Sequence, residues 1–317
     1  MIMWQCPLCN LPLETHQDDT SDRMLSTWFC ANKHSFDKAK QGYVNLLPVQ
    51  NKRSKMPGDD AQMVQARSTF FSEKPYQALV SKLSELIVTQ VSRNNESFLV
   101  SRNHAKGGRG PINIYDSGCG EGYYLQALSD LLSAVNSTEN KLIFSFSGHD
   151  ISKPAVVAAS KRNKDKQLVV ASTINIPLVD NSQDIVLQVF APSCAKEYAR
   201  ILKANGFVIT VDPAPKHLFE LKEMVYEKPE YHQESKLSLN GFELSDQHKL
   251  KFKVELESSE MRLALLQMTP FFWKTNEEQK TNIKNHLSSV TADFVIHVWK
   301  KACIDEQYVN EINEEKH

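Results

Sequence analysis

Ile112-Asn113-Ile114-Tyr115-Asp116-Ser117-Gly118-Cys119-Gly120-Glu121-Gly122-Tyr123 is the stretch on which the reading of this chain turns. A short apolar run ends in an acid and three glycines, and a helical pattern opens at Tyr123, so the segment reads as strand, tight loop and helix. Glycines there let the backbone pass close to a ligand. The spacing is G-x-G-x-G, not the G-x-G-x-x-G that seats a pyrophosphate on a helix N-terminus, and Glu121 stands where a phosphate would be repelled. The loop therefore suits a cationic or neutral ligand.

Outward from the loop, short apolar runs alternate with helical patterns. Strands are expected at Ile112–Asp116, Leu142–Asp150, Gln167–Ser172, Asp184–Val189 and Phe207–Val211, with helices near Tyr123–Leu132, Pro154–Arg162 and Cys194–Leu202. That alternation predicts an α/β fold, a parallel sheet with helices on both faces. Lys249–Glu257 alternates charged and apolar residues, and Thr291–Lys300 reads as a last strand, so a doubly wound, seven-stranded, Rossmann-like sheet with a reversed edge is expected. Asp150 ends the second strand, where an acid can accept both hydroxyls of an adenosine ribose. S-adenosylmethionine, with a sulfonium, an ammonium and a carboxylate but no phosphate, fits the loop and this acid together. Asp116, Gly118, Gly120, Glu121, Gly122 and Asp150 are the cofactor candidates.

The chain has 37 basic and 38 acidic residues, a formal charge of -1, so any basic surface must be local. Hydrophobic residues are 41%, which excludes low-complexity and wholly disordered classes. No apolar run reaches the roughly 18 to 20 residues that span a bilayer, and the first residues lack a signal-peptide pattern, so a cytoplasmic protein without a membrane partner is expected. The segments divide as a compact module at 1–50, a helical connector with a polar insertion at 51–110, the sheet domain at 111–302 and an acidic tail at 303–317. In the connector, Asp59 or Asp60 can cap a first helix, and Leu79, Leu83, Leu86 and Ile87 form the stripe of a second.

Cys6-Pro7-Leu8-Cys9 is followed after 20 residues by Cys30-Ala31-Asn32-Lys33-His34. A Cys-x2-Cys pair and a Cys-x3-His pair supply four tetrahedral ligands with no open position, so structural Zn2+ is expected on Cys6, Cys9, Cys30 and His34. A redox Cys-x-x-Cys would need a thioredoxin-like context that is absent here, and His16 is the alternative fourth ligand. Lys33, Lys38, Lys40, Lys52, Arg53 and Lys55 surround the second half-site against one acid, Asp37, with Phe36 and Tyr43 interleaved. Cations contact phosphates and aromatic rings stack on unpaired bases, the pattern of an RNA-binding surface.

With these residues in hand, the sequence resembles the RlmA-type family of large-subunit rRNA guanine-N1 methyltransferases. The resemblance rests on the cysteine module, Phe36-Asp37-Lys38-Ala39-Lys40-Gln41-Gly42-Tyr43 continuing to Pro48, Pro57-Gly58-Asp59, Gly118 to Tyr124, and Leu265-Leu266-Gln267-Met268-Thr269-Pro270-Phe271. It implies a class I methyltransferase domain behind a small zinc module, S-adenosyl-L-methionine as cofactor, 23S ribosomal RNA as substrate and a homodimer. It also implies that Tyr76 and His217 join Gly120 and Glu121 in touching the cofactor. Ser117 departs from the pattern, since an apolar residue usually precedes the glycine.

Methylation at guanine N1 requires the N1 proton to leave, so an acceptor should stand near it, and His217 and Asp212, both after the fifth strand, are the candidates. Phe190-Ala191-Pro192-Ser193 lacks the Asn/Asp-Pro-Pro-aromatic ending common among enzymes of exocyclic amines, which argues against that acceptor. Cys194 as a nucleophile for pyrimidine C5 is weaker than a small residue opening a helix. A small-molecule methyltransferase and a non-catalytic RNA binder are the rival classes. The basic, aromatic module opposes the first and the intact glycine loop opposes the second.

Overall fold

The computed structural model describes residues 4–15, 27–51, 57–93, 110–135, 142–233 and 238–302. Most of the expected polar insertion and the acidic tail therefore lie outside the described residues. Three short strands, β1 (Glu14–Thr15), β2 (Thr27–Phe29) and β3 (Ser35–Asp37), form a small antiparallel sheet near the cysteines. The main sheet has eight strands: β4 (Val44–Asn45), β5 (Ile112–Ser117), β6 (Phe144–Asp150), β7 (Gln167–Val170), β8 (Gln183–Val189), β9 (Leu202–Pro213), β10 (Phe242–Glu255) and β11 (Ser289–Lys301). Their spatial order is β10-β11-β9-β8-β5-β6-β7-β4. The helices are α1 (Ala61–Ser72), α2 (Gln77–Arg93), α3 (Tyr123–Val135), α4 (Lys153–Arg162), α5 (Ala195–Ile201), α6 (Phe219–Val225), α7 (Ser259–Gln267) and α8 (Glu277–His286).

Strands β5 and β8 are buried at every position, as central strands covered on both faces are, and their polar residues lie at or next to the strand ends. The chain steps outward from β5 through β6 to β7, then returns to place β8 on the other side of β5, with β9 beyond it. The order reverses between β5 and β8, and a parallel sheet opens its ligand crevice at the strand ends of such a switch point. The glycine loop follows β5 directly. Helices α1 and α2 pack over this region: Asp60 caps α1 by accepting from the Met63 amide at 2.9 Å, and Leu79, Leu83, Leu86 and Ile87 of α2 are buried in the main core.

Two features correct the sequence reading. The reversed strand is not at the edge: β11 inserts between β9 and β10 and runs antiparallel to both. Strand β10 takes the edge, with Lys249, Lys251 and Lys253 exposed and Leu250, Phe252 and Val254 turned inward. Charged side chains suit an edge strand, whose unpaired groups would otherwise recruit another strand. At the opposite edge β4, from the cysteine-bearing segment, pairs parallel to β7 with Val44 beside Val169. Trp4, Trp28, Val44 and Leu46 share one apolar cluster with Tyr115 and Val169, so the cysteine segment is built onto the sheet.

Candidate active site and metal centre

The loop after β5 is shaped by glycines at positions where a side chain would strike neighbouring parts of the chain. Gly118 has φ +83, and a Cβ there would lie 2.5 Å from the Cβ of Ala191, in the loop after β8. Gly122 has φ +80, a Cβ there would meet Asn163 Nδ2 at 2.5 Å, and that same amide donates to the Gly122 carbonyl at 3.1 Å. Gly118 and Cys119 both donate to the His149 carbonyl, at 3.0 and 2.8 Å, which pins the loop to the end of β6. Ser117, the departure from the family pattern, is fully buried and accepts from the Tyr198 hydroxyl at 3.0 Å, so its oxygen is satisfied.

Three buried or partly buried acids converge here. Asp150 accepts from the Gly120 amide at 3.0 Å and from the Ser152 amide at 2.8 Å; burial raises its pKa and these amides oppose the rise. Asp116 is buried, its Oδ2 has no hydrogen-bond partner among the described residues, and burial together with the charges of Asp150 and Glu121 pushes its pKa up to about 8. Glu121 is buried with Oε1 likewise lacking a hydrogen bond, and burial raises its pKa against the pull of Arg67 and Arg162. A cluster of carboxyls reluctant to ionise alone is a site prepared for cationic charge.

Arg67 of α1, which sequence reasoning missed, reaches into this cluster. Its Nη1 lies 2.6 Å from Asp59 Oδ2, its Nε 4.0 Å from Glu121 Oε2, and Nη1 stands 3.4 Å from where a Gly120 Cβ would be. Its signal was present: Arg67 falls at helical spacing on the buried stripe of Val64, Phe70 and Phe71, a cation where an apolar residue would be expected.

Tyr76 and His217 lie side by side as an edge-to-face pair 6.3 Å apart, within a ring cluster that includes Phe71, Phe190 and Phe294. Phe71 in turn stacks on Tyr123, the first residue of α3, at 4.3 Å. The Tyr76 hydroxyl is buried without a partner among the described residues, and burial raises its pKa. His217 Nδ1 lies 3.4 Å from the backbone amide of Asp293, which can only donate, so the ring proton sits on Nε2. Burial, with the charges of His232 and Lys222, pushes its pKa down to about 3. Asp212, at the end of β9, is partly buried; burial raises its pKa, and its Oδ2 has no hydrogen-bond partner among the described residues. Cys119 is buried in the main core and Cys194 is the uncapped N-cap of α5.

At the other end of the sheet, donor atoms of Cys6, Cys9, Cys30 and His34 all lie within 4.8 Å of one another. Cys6 and Cys30 sulfurs are each 3.5 Å from His34 Nδ1, and the Cys9 and Cys30 sulfurs are 3.6 Å apart. A tetrahedral ion with zinc's bond lengths holds two sulfurs about 3.8 Å apart and a sulfur and nitrogen about 3.6 Å apart. Left-handed residues, Asn10 after Cys9 and Lys33 before His34, turn the chain around each half-site. His16 lies outside the described residues.

Lys33 and Lys40 are exposed and Lys38 is partly buried, while Lys52, Arg53 and Lys55 lie outside the described residues. The aromatic half of the basic pattern needs correction. Tyr43 is only 6% exposed and belongs to the main core, and Phe36 packs against the cluster beneath the sheet, because this segment turns inward to deliver β4. Among the described residues no helix is long and apolar enough to cross a membrane.

Comparison with known proteins agrees with this geometry. A zinc-ribbon family model described as RlmA, N-terminal, matches residues 4–55, and a model described as a methyltransferase domain matches residues 115–210. The chain is 30% identical over 307 residues to the Bacillus subtilis protein named "Putative 23S rRNA (guanine-N(1)-)-methyltransferase YxjB", covering 94% of this chain and 97% of that relative. It is 29% identical over 280 residues to the 23S rRNA (guanine(748)-N(1))-methyltransferase of Streptomyces fradiae, covering 87% of each. With a zinc-ribbon segment docked on a methyltransferase sheet and a relative matched along almost its whole length, the chain belongs to the RlmA-type 23S rRNA (guanine-N1)-methyltransferase family.

Proposed function

We propose that the protein transfers a methyl group from S-adenosylmethionine to N1 of a guanine in a loop of 23S ribosomal RNA. The observation that carries the cofactor half is the acid cluster: Asp150 organises the glycine loop, while Asp116 and Glu121 keep buried oxygens without hydrogen bonds. The Asp116 oxygen suits an ammonium or a sulfonium and disfavours a phosphate, while Glu121 Oε1 already has Arg162 Nη1 at 3.8 Å. Asp150 is the ribose acceptor, Gly118 and Gly122 let the loop close against Ala191 and Asn163 so that its backbone, with Gly120, lies against the ligand, and Tyr76 and His217 offer hydroxyl and Nε2–H donors from the far side. When bound, S-adenosylmethionine supplies an electrophilic methyl group and leaves as a neutral thioether, so the chain's tasks are alignment and water exclusion.

The N1 proton needs an acceptor. Asp212 is the better of the two candidates, because a carboxyl raised by burial is a stronger base than an exposed one. His217 has its Nδ1 lone pair directed at the Asp293 amide and a lowered pKa, which suits a neutral donor. Guanine N1 is hidden in a Watson–Crick pair, so the target must be unpaired or extruded. Lys33, Lys38, Lys40, Lys52, Arg53 and Lys55 contact RNA phosphates beside a zinc ion held by Cys6, Cys9, Cys30 and His34. A cytoplasmic homodimer whose zinc modules flank the RNA completes the reading, and sedimentation equilibrium tests the dimer. Mass mapping of rRNA nucleosides from cells lacking the protein tests the acceptor: one N1-methylguanosine should disappear, and an unchanged map would remove the reading.

A further inference from the structure

Six non-glycine residues among those described have left-handed φ, and only Phe190 and Leu218 of the six are bulky and apolar. An L-residue is strained in that region, and such strain gathers at functional sites. Both stand at one place. Phe190 follows β8 at the switch point, Leu218 follows His217, and each is held there by a backbone bond, Phe190 N–H to the Val211 carbonyl at 3.0 Å and Leu218 N–H to the Thr291 carbonyl at 2.8 Å.

The strain presents a ring. Phe190 lies nearly parallel to His217, 5.9 Å between centroids and 24° between planes, and leans on Phe294 at 5.3 Å, yet it remains 41% exposed. Its neighbour Ala191 is the residue against which Gly118 closes, so the ring is one step from the glycine loop. Packing alone does not require a strained turn that leaves the side chain open to solvent. A purine extruded from RNA does need an aromatic face.

We propose that Phe190 is the stacking platform for the target base, its exposed face carrying the purine while His217 and Phe294 support the ring from behind. This rests on the RNA methyltransferase reading and names a substrate contact that reading leaves open. The ring and its bulk are separable by substitution. Phe190→Leu keeps apolar volume and removes the π face, and should lower kcat/KM for methyl transfer to a 23S rRNA transcript by about 10- to 100-fold, the range of one lost base stack. Phe190→Tyr should restore most of that loss. Calorimetric affinity for S-adenosylmethionine and the thermal midpoint should stay as in the wild type for both variants. A transcript carrying 2-aminopurine at the modified position should brighten less on binding wild type than on binding Phe190→Leu, because the phenyl ring restacks the extruded base. Wild-type kcat/KM and equal brightening in Phe190→Leu would overturn the proposal. So would an equal loss of cofactor affinity, which would make the ring a packing residue. If wild-type protein moves no methyl to rRNA, the underlying reading fails first and the stack falls with it.

Discussion

The indole N–H of Trp4 donates to Gln167 Oε1 at 2.7 Å, joining the cysteine-bearing segment to strand β7. Trp4 also packs on Trp28 at 5.8 Å and on Tyr115 of β5 at 6.3 Å. Removing the metal with a chelator, or through Cys30→Ser, should therefore lower the unfolding temperature of the methyltransferase domain as well as loosening the cysteine loops. Trp4→Ala should cost about 3 to 5 kcal/mol with metal retained. Scanning calorimetry decides it, and an unchanged main transition after metal loss would show that the two parts are energetically separate.

Glycine substitutions distinguish a clash from a torsional cost. Gly118→Ala adds a Cβ 2.5 Å from Ala191 at φ +83, whereas Gly42→Ala adds one at φ +103 with nothing within 4 Å. The second should cost about 1 kcal/mol, and the first should cost more and weaken cofactor binding by at least about tenfold. Gly118→Ala with Ala191→Gly should recover part of the loss in denaturant titrations; equal costs for the two single variants would deny the close approach.

Asp116, Glu121 and Asp150 all have pKa values raised by burial, Asp116 to about 8. A raised carboxyl binds its proton more tightly folded than unfolded, so its stabilising contribution is full below the ordinary carboxylate range and is lost as pH rises towards about 8. Asp116→Asn keeps the shape without the titration. Thermal midpoints of the cofactor-free protein from pH 5 to pH 8 should fall less steeply in the variant than in the wild type; parallel curves would remove Asp116 from the account.

His217 and Asp212 predict different kinetics. Asp212→Asn should reduce kcat by about 100-fold or more, the usual range for a lost general base, and flatten the acidic limb of the pH–rate profile. His217→Gln, which can still donate, should lose less and chiefly weaken cofactor binding. A profile unchanged in Asp212→Asn would assign the proton to another acceptor.

Much of this was legible because its signals are local. The glycine loop, the Asp60 cap, the α2 stripe and the cluster of Cys6, Cys9, Cys30 and His34 follow from spacing within short segments. Strand β4 was not, since two residues carry no period, and its pairing with β7 depends on Trp4 and Leu46 docking beneath the sheet. The insertion of β11 inside β10 is a choice of edge that an alternating pattern leaves open. Tyr43 misled because its basic neighbours suggest an exposed face, while the inward turn to β4 buries it. Arg67 meets Glu121 across 54 positions, and Phe190 is marked by a torsion angle, neither of which a motif records.

Transfer of labelled methyl from S-adenosylmethionine to 23S rRNA transcripts, followed by nucleoside analysis of the product, decides whether the protein is a guanine-N1 methyltransferase. Label should appear in N1-methylguanosine, with transfer falling in Asp150→Ala and falling in a separate variant with Lys33, Lys38 and Lys40 neutralised. That lysine variant should also flatten the salt dependence of RNA binding by about 2 in log–log slope. Label on cytosine C5, on an exocyclic amine, or only on small molecules would contradict guanine-N1 methylation.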